Sequence, residues 1–427
     1  MSVSAVSSVG APLRVAVIGA GGFAGVHHTA IASLEESGEV RLVGTCDPAP
    51  DTLAKATAKW DFARRSVRTF DDYRAMLAAL HGGLDGLLVP TPVPLHAEMH
   101  RAGVEHGIPV YLEKPPTLDW EELETMIAVD RAASRATNVG FNHIVEPTRR
   151  ALKRRLCAGV FGALREVRFL GLSGRPEKYY ARNNWAGRLL VGDRILIDSC
   201  LSNAMAHYAH NVLFWAGAET EMQWADLAAV EATLHRAHAI EGADTALVAA
   251  RTTKGVSLRL GMTHAWAGDD RFVETLVCDG ATIHYRSGGN LEIEWRARAR
   301  EVVPLAPAPS LRDNLRAWLA FLRGEVERPT TTLADCRPFA LLNSLAILSS
   351  GEIFPLVHDR RRASGGNGEE IFRVAHNIEP LLEAFVERGE RPGLPPTHVA
   401  TTADLPKLRT LLRQIAHDSL RSAPSTA

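Results

Sequence analysis

The sequence predicts two successive domains, a doubly wound parallel α/β sheet followed by an α+β domain with flanking helices. Short apolar runs alternate with helical segments over residues 13–145, which is typical of a parallel sheet covered on both faces. A strand, a glycine-rich turn and a helix open this region. After residue 145 several apolar runs alternate with polar residues, which indicates a sheet with one face solvated or in contact with a partner.

Composition sets the class of protein. The chain has 427 residues, enough for two or three domains, with 46% hydrophobic residues, 23% charged residues and a net charge of −1. This balance argues against a nucleic-acid partner, and we interpret the one basic cluster, residues 360–362, as part of a solvated loop. No apolar run is long enough to span a membrane, and the first twelve residues lack the basic start of a signal peptide. Five scattered cysteines predict reduced thiols in a cytoplasmic protein, with neither a disulfide framework nor a metal site.

The glycine-rich turn lies within residues 13–32. Its apolar start is typical of a strand buried on both faces. Gly19, Gly21 and Ala24 then fit the pattern G-x-G-x-x-A, in which the glycines allow a tight turn and a close approach of the backbone to a pyrophosphate. A tight turn without a nucleotide is the alternative. The predicted phosphate-binding residues are Gly19, Gly21, Gly22, Phe23 and Ala24.

The second apolar run, residues 40–46, ends in Asp47. A carboxylate at this strand end can accept hydrogen bonds from the ribose hydroxyls of a dinucleotide and would repel a 2′-phosphate. Asp47 therefore favours NAD over NADP. The alternative is an ordinary turn aspartate before Pro48.

Three further strand ends carry candidate ligand-binding residues, because ligands of open α/β sheets bind at the carboxyl ends of the strands. A proline-rich loop follows the run 84–89, a charged pair follows the run 108–112, and an asparagine follows the run 137–141. His96 lies where a loop residue or a helix-start cap would lie, and both interpretations stay open. The residues are Thr91, Pro92, His96, Glu113, Lys114 and Asn142.

The remaining chain is assigned by its periodicity. Helices are predicted at 146–158, 200–216, 310–324 and 334–350, and strands at 164–170, 227–239, 245–253, 256–263, 272–278 and 281–286. The predicted domains are a flexible N-terminus (1–12), a Rossmann domain (13–145), an α+β domain (146–355) and a helical C-terminal extension (356–427) without assigned chemistry. Polar residues beside the strands can line a ligand pocket, or can simply lie on the sheet surface: Arg236, His238, Asp244 and His264.

With these segments in place, the chain resembles the Gfo/Idh/MocA oxidoreductases. The matching stretches include VAVIGAGGFAG, VPTPVPLHAEMHRAGVEHGIPVYLEKPPTL, VGFNHIVEP and HYAHNVLFWAG. The resemblance implies a Rossmann domain followed by a domain with an open, mainly antiparallel sheet. It further implies a nicotinamide cofactor, a sugar, cyclitol or related polyol as substrate, and a homodimer or homotetramer.

The resemblance also implies roles for single residues. Lys114 would hold the substrate hydroxyl and stabilise charge on its oxygen. Glu113 would orient Lys114, cap a neighbouring backbone group or serve the cofactor side. Thr91, Pro92 and His96 would form the loop over the cofactor, and Asn142 would lie near the nicotinamide.

The family's proton acceptor is a histidine four residues after an aspartate on one helix, and this chain departs from that pattern. His207 matches the histidine when the helix is counted back from its end, but Asn203 then occupies the aspartate position. Asp198 matches the aspartate type, and it can approach from the preceding loop. Which of the two orients His207 stays open, as does a packing role for His207.

The leading hypothesis is an NAD-dependent dehydrogenase that moves a hydride between a polyol and the nicotinamide. Two alternatives are retained. One is a lyase or glycosidase in which tightly bound NAD drives transient oxidation, and the other is a dinucleotide-binding regulator without enzyme activity.

Overall fold

The computed structural model describes residues 11–286, 288–365, 368–391, 393, 395 and 397–421, so most of the predicted flexible N-terminus lies outside the described residues. The chain forms two compact units. Unit 1 contains the described residues up to Pro116 together with 124–145 and 309–334. Unit 2 contains residues 117–123, 146–308 and the described residues from Asp335 onwards.

The strands and helices of the described residues have the following bounds. The strands are β1 (Leu13–Ile18), β2 (Val40–Cys46), β3 (Arg68–Phe70), β4 (Gly86–Val89), β5 (Val110–Leu112), β6 (Asn138–Val139), β7 (Leu164–Leu172), β8 (Leu190–Val191), β9 (Arg194–Ile195), β10 (Leu227–Arg236), β11 (Thr245–Thr252), β12 (Ser257–Thr263), β13 (Arg271–Cys278), β14 (Ala281–Arg286), β15 (Asn290–Trp295), β16 (Glu301–Pro304), β17 (Ile353–Pro355), β18 (His358–Gly365) and β19 (Gly368–Ala375). The helices are α1 (Ala24–Glu36), α2 (Pro50–Lys59), α3 (Tyr73–Ala79), α4 (His96–Glu105), α5 (Trp120–Asp130), α6 (Pro147–Cys157), α7 (Glu177–Ala181), α8 (Ala206–Ala216), α9 (Leu311–Leu322), α10 (Arg337–Ser350), α11 (Ile378–Arg388) and α12 (Leu408–Arg421).

Unit 1 is built on a six-stranded sheet in the order β3-β2-β1-β4-β5-β6. All its strand pairs are parallel. The order reverses between β1 and β4, which is the switch point where the carboxyl ends of open α/β sheets bind ligands. The strand–helix alternation of residues 13–145 therefore gave the correct fold class.

Unit 1 also contains α9, which we had predicted as a helix of the second domain. Leu315, Trp318 and Leu319 of α9 are buried in the same core as the strands of unit 1. At Gly86 of β4 an added Cβ would lie 2.5 Å from the Trp318 ring. The helical periodicity was visible in the sequence, but the surface that buries its apolar face lies more than 200 residues earlier.

Unit 2 is built on a nine-stranded sheet in the order β16-β15-β14-β13-β7-β12-β11-β10-β17. Only the β7–β12 and β10–β17 pairs are parallel, so the sheet is mainly antiparallel as predicted. The six predicted strands coincide with β7 and β10–β14 to within three residues at each end.

The C-terminal extension differs from the predicted all-helical segment. Residues 358–365 and 368–375 form two antiparallel strands, β18 and β19, which pair with each other, and α11 and α12 follow. The basic cluster 360–362 consequently lies on a strand instead of a loop. The sequence shows no alternation of apolar and polar residues here, because the two-stranded ribbon is polar on much of its surface. Arg360 forms an ion pair with Glu177, and Arg362 forms one with Glu369.

Helix α11 lies against β7 and β12 of the nine-stranded sheet. Its Leu382, Phe385 and Val386 are buried in one cluster with apolar residues of β7 and β11. At Gly261 of β12 an added Cβ would lie 2.7 Å from Val386 Cγ2, so the glycine lets the helix pack closely on the strand.

The helix predicted at 200–216 is shorter in the structure, where α8 begins only at Ala206. Residues 199–205 form turns. Ser202 Oγ donates to the Ile197 carbonyl over 2.6 Å and accepts from Ser199 N over 2.9 Å. Such side-chain hydrogen bonds compete with helical backbone pairing, which explains the late start.

Two searches of the described residues gave no site. None of their helices is long and apolar enough to cross a membrane. None of their histidine, cysteine, aspartate or glutamate side chains forms a group of three that could hold a metal ion.

Candidate functional site

The turn between β1 and α1 has the geometry that its glycines allow. Gly19 has φ of +108°, and an added Cβ there would lie 3.2 Å from the Cβ of Ala24. At Gly21 an added Cβ would lie 2.6 Å from Thr52 Cγ2. Phe23, 51% exposed, precedes the first turn of α1. The absence of side chains at Gly19 and Gly21 allows this tight turn, and the start of α1 that follows it suits the binding of a phosphate group.

His28, a buried residue of α1 that no sequence motif includes, forms a hydrogen bond to this turn. Its Nε2–H donates to the Gly19 carbonyl over 3.0 Å, and Thr45 Oγ1 donates to the same carbonyl over 3.3 Å. Burial lowers the pKa of His28 to about 4, so the ring is neutral near pH 7. The paired histidines in α1 were the only sequence signal for this contact.

Asp47 lies at the end of β2, next to the glycine-rich turn. Its Oδ2 accepts from Ala20 N and its Oδ1 from Ala49 N, both over 3.0 Å. The carboxylate is therefore held at the turn that would receive a dinucleotide, where it can also accept from ribose hydroxyls.

Glu113 positions the chain at Lys114. Its Oε1 lies 2.9 Å from His27 Nε2, and its Oε2 accepts from the Lys114 backbone N–H over 3.1 Å. Both oxygens thus contact protein groups, and the residue is only 5% exposed. Glu113 caps the backbone of Lys114, one of the predicted possibilities, and its predicted cofactor contact stays a prediction. The buried partner His27 was missed because its role depends on a strand 86 residues away.

His96 connects two of the predicted strand-end loops. Its Nε2 lies 2.8 Å from the Thr91 carbonyl, and its Nδ1 lies 3.0 Å from the Pro115 carbonyl. The side chain is fully buried, and burial lowers its pKa. The His96 ring thus connects the two loops to each other, and its predicted cofactor contact stays a prediction.

Asn142 and Thr91 complete the strand-end residues of unit 1. Asn142 Oδ1 accepts from Asn314 Nδ2 over 2.7 Å, and Asn314 also donates to the Tyr111 hydroxyl over 2.9 Å. Asn314 belongs to α9, so its role could not be read from a helix assigned to the other domain. Thr91 Oγ1 donates to Met99 Sδ over 3.3 Å.

In unit 2, the two candidate orienting residues form one hydrogen-bonded pair. Asn203 Nδ2 donates to Asp198 Oδ1 over 2.6 Å, and the Gly187 N–H donates to Asp198 Oδ2 over 2.5 Å. The predicted four-residue helical spacing to His207 does not exist, because Asn203 precedes α8 and His207 is its second residue. Asp198 and Asn203 are thus hydrogen-bonded to each other, and the role of either residue in orienting His207 stays a prediction.

The strand order, the glycine turn and the acidic end of β2 define unit 1 as a dinucleotide-binding Rossmann domain. A family model described as oxidoreductase family, NAD-binding Rossmann fold, matches residues 13–141. This match covers less than half of the chain, and it confirms the predicted resemblance to the Gfo/Idh/MocA oxidoreductases and the predicted nicotinamide cofactor class for unit 1.

Several curated proteins resemble the chain over part of its length. It is 30% identical over 159 residues to dTDP-3,4-didehydro-2,6-dideoxy-α-D-glucose 3-reductase of Actinomadura kijaniata, covering 36% of this chain and 44% of that protein. It is 30% identical over 169 residues to D-glucoside 3-dehydrogenase of Escherichia coli, covering 38% and 46%. It is 32% identical over 151 residues to inositol 2-dehydrogenase 4 of Saccharopolyspora erythraea, covering 35% and 42%. The matches thus span less than half of each relative.

Solved structures resemble the chain over more of its length. The WlbA dehydrogenase from Bordetella pertussis, in complex with NADH and UDP-GlcNAcA, has a TM-score of 0.66 at 23% identity, covering 79% of this chain and 96% of that chain. A levoglucosan dehydrogenase in complex with NADH and levoglucosan has a TM-score of 0.65 at 18% identity, covering 79% and 97%. At these identities the likeness establishes the fold.

Proposed function

We propose that the protein is an NAD-dependent dehydrogenase that acts on a CH–OH group of a sugar, cyclitol or related polyol. The observation that carries this proposal is the anchoring of Lys114: Glu113, itself in contact with buried His27, caps its backbone at the carboxyl end of β5. A lysine held at this strand end of a Rossmann domain suits the binding of a substrate oxygen. The names of the curated relatives, a sugar reductase, a glucoside dehydrogenase and an inositol dehydrogenase, agree with this class.

The residues of unit 1 fit an NAD molecule. Its pyrophosphate suits the turn at Gly19 and Gly21, where added side chains would clash with Ala24 and Thr52. Its ribose suits Asp47, which disfavours the 2′-phosphate of NADP. When bound, the nicotinamide supplies the hydride acceptor. The further residues proposed to surround it are Gly22, Phe23, Thr91, Pro92 and Asn142.

The catalytic roles rest on this chain's own side chains. The Lys114 ammonium would donate a hydrogen bond to the substrate oxygen and stabilise the negative charge that develops there. His207 would accept the hydroxyl proton. The Asp198–Asn203 pair would orient His207, with the Asp198 carboxylate favouring the imidazolium that forms.

The first test is an assay of the purified protein with NAD⁺ or NADP⁺ and a panel of neutral sugars, sugar acids and inositols, followed at the NADH absorbance. We expect NADH with at least one polyol and a preference for NAD⁺. Product formation without NADH accumulation would favour a lyase or glycosidase that retains its NAD. Dinucleotide binding without any turnover would favour a regulator.

We also propose that the protein works in the cytoplasm as a homodimer or homotetramer. The free state of all five cysteines agrees with a reducing compartment. The oligomeric state is measurable by light scattering coupled to gel filtration, where a monomer at micromolar concentration would contradict the proposal.

A further inference from the structure

Unit 2 contains a cavity of about 560 Å³ that the proposed reaction does not use. Its walls come from the segment around α7, the turn after β10, the base of the β18–β19 ribbon and α12. The lining is rich in polar and charged side chains, among them Tyr180, Arg188, Arg236, Glu241, Arg373 and Ser419. A cavity of this size with converging polar groups is typical of a small-molecule site.

The charges of the lining are paired, with one exception. Glu177 accepts from Arg373 Nε over 2.9 Å, and although burial opposes its ionisation, hydrogen bonds from arginines lower its pKa. Glu241 forms an ion pair with Arg188. Arg236 has no carboxylate within ion-pair distance in the described part of the chain. The cavity therefore carries an excess positive charge at Arg236.

The hydrogen bonds of Arg236 leave one edge of its guanidinium available. Nη1 donates to the Ile240 carbonyl over 2.9 Å, to the Glu241 carbonyl over 3.3 Å and to Ser419 Oγ over 2.6 Å. Among the described residues, Nε and Nη2 have no acceptor. These two N–H groups form the planar fork that binds a carboxylate or phosphate with two parallel hydrogen bonds.

Two further observations agree with a ligand at this place. The Tyr180 hydroxyl is buried and has no hydrogen-bond partner among the described residues, although Tyr180 lines the cavity. Burial also lowers the pKa of Arg236. A guanidinium is charged at every physiological pH, so this half-buried cation bears a desolvation cost that a bound anion would offset.

We propose that this cavity binds the oxyanion group of a small polyhydroxy acid, with the carboxylate or phosphate on the Nε–Nη2 edge of Arg236 and a ligand hydroxyl on Tyr180. The site adjoins the proposed catalytic segment, because Gly187 lines the cavity and its N–H donates to Asp198. The proposal does not rest on the dehydrogenase function, since binding can be measured without NAD.

The test is isothermal titration of the full chain with D-glucuronate, its neutral methyl ester and inorganic phosphate. We expect glucuronate to bind at millimolar concentration or below, and the ester to bind at least tenfold more weakly. Arg236→Gln should weaken glucuronate binding roughly tenfold or more, the usual scale for a lost charged hydrogen bond. Arg251→Gln is the matched control, because Arg251 is an exposed arginine at the end of β11 that lies far from Arg236. This variant should bind glucuronate like the parent.

Two conservative variants protect the test against a misfolded Arg236→Gln. Arg236→Lys keeps the positive charge but loses the two parallel N–H groups of the guanidinium. Tyr180→Phe removes only a hydroxyl that has no hydrogen-bond partner among the described residues. Each variant should therefore weaken glucuronate binding severalfold. Equal binding of acid and ester, absence of binding by both anions, or parent-like binding in both Arg236 variants would overturn the proposal. If glucuronate binds and NADH forms, the anion bound in the cavity belongs to the substrate. If glucuronate binds without turnover, the anion belongs to a separate effector.

Discussion

Two regions of the molecule fix their candidate functional residues by different means. In unit 1, the buried rings of His28 and His96 contact backbone carbonyls at the carboxyl ends of β1, β4 and β5. In unit 2, Asp198 and Asn203 are fixed mainly to each other, within turns that precede α8. A site fixed by buried rings against sheet ends depends on the core, whereas a site fixed by local polar pairs depends on a few side chains. Substitutions in the first region should therefore change the free energy of unfolding, and substitutions in the second region should change the pKa of neighbouring side chains.

The largest expected effect is on acid stability, and it should appear in both units. Burial lowers the pKa of His28 in unit 1 to about 4 and, in unit 2, those of His235 to about 4 and of His264 to about 3, and it lowers the pKa of His96 in unit 1 as well. The unfolded chain binds more protons than the folded chain from these values up to about 6.5. The free energy of unfolding should then fall by about 2 kcal/mol per histidine between pH 6.5 and about pH 5.

Hydrogen–deuterium exchange at several pH values can read the two units separately. Protection of β11 and β12 and protection of β1 and β4 should both decline with acid. His264→Gln should reduce the slope in unit 2 alone, and the exposed His81→Gln should leave both slopes unchanged. An unchanged slope in unit 2 of the His264→Gln variant would contradict the assignment.

Lys114 should have the next largest effect. Lys114→Ala should lower kcat/KM by about two orders of magnitude, the usual scale for losing one donor to a developing oxyanion. The Kd for NAD⁺ and the melting temperature should change little. Lys407→Ala, at an exposed lysine of unit 2, is the control, and parent-like turnover in Lys114→Ala would refute the proposed role.

His96 tests the dependence of the first region on a buried ring. His96→Ala would remove the hydrogen bond that the single N–H of the neutral ring gives to the carbonyl of Thr91 or of Pro115, and it would create a cavity, so the free energy of unfolding should fall by about 2 kcal/mol. Urea denaturation measures this change. His81→Ala should cost little, and a loss of similar size in both variants would argue against the bridge.

Asp47 should have a smaller effect, confined to cofactor choice. Asp47→Ala should lower the preference for NAD over NADP by about tenfold, because it removes both an acceptor for the ribose and a charge that repels the 2′-phosphate. Fluorescence titration with both cofactors measures the ratio of the two Kd values. An unchanged ratio would assign Asp47 to the turn alone.

The smallest effect concerns the second region. Asp198→Asn should move the basic limb of the pH profile of kcat/KM downward by about half a pH unit to one unit, because a carboxylate that favours the imidazolium of His207 is lost. Asn203→Asp would place two carboxylates at hydrogen-bond distance, so one of them should take up a proton. A limb that neither variant moves, together with an active His207→Ala, would make His207 a packing residue.

Sequence reasoning worked where local patterns determine structure. The glycine turn, Asp47 and the strand preceding Lys114 were predicted because period, turn residues and strand ends are adjacent in the chain. It failed where the partner is distant. The membership of α9 in unit 1 and the contact of His27 with Glu113 both depend on segments far away in the sequence.

The segment before α8 failed for a different reason. Residues 200–205 contain ordinary helix-compatible types, and the family pattern favoured one continuous helix over both candidate positions. The hydroxyls of Ser199 and Ser202 instead bond to the local backbone, which stops the helix from starting there. Competition of this kind depends on small differences in free energy that periodicity does not register.

The position of α11 has a consequence for how the chain is made. The ribosome synthesises β7 and β11 long before residues 378–388, so the apolar surface that later contacts Leu382 and Phe385 emerges uncovered. Unit 1 likewise lacks α9 until residue 322 has emerged. Neither unit can therefore complete its core before these later helices have left the exit tunnel.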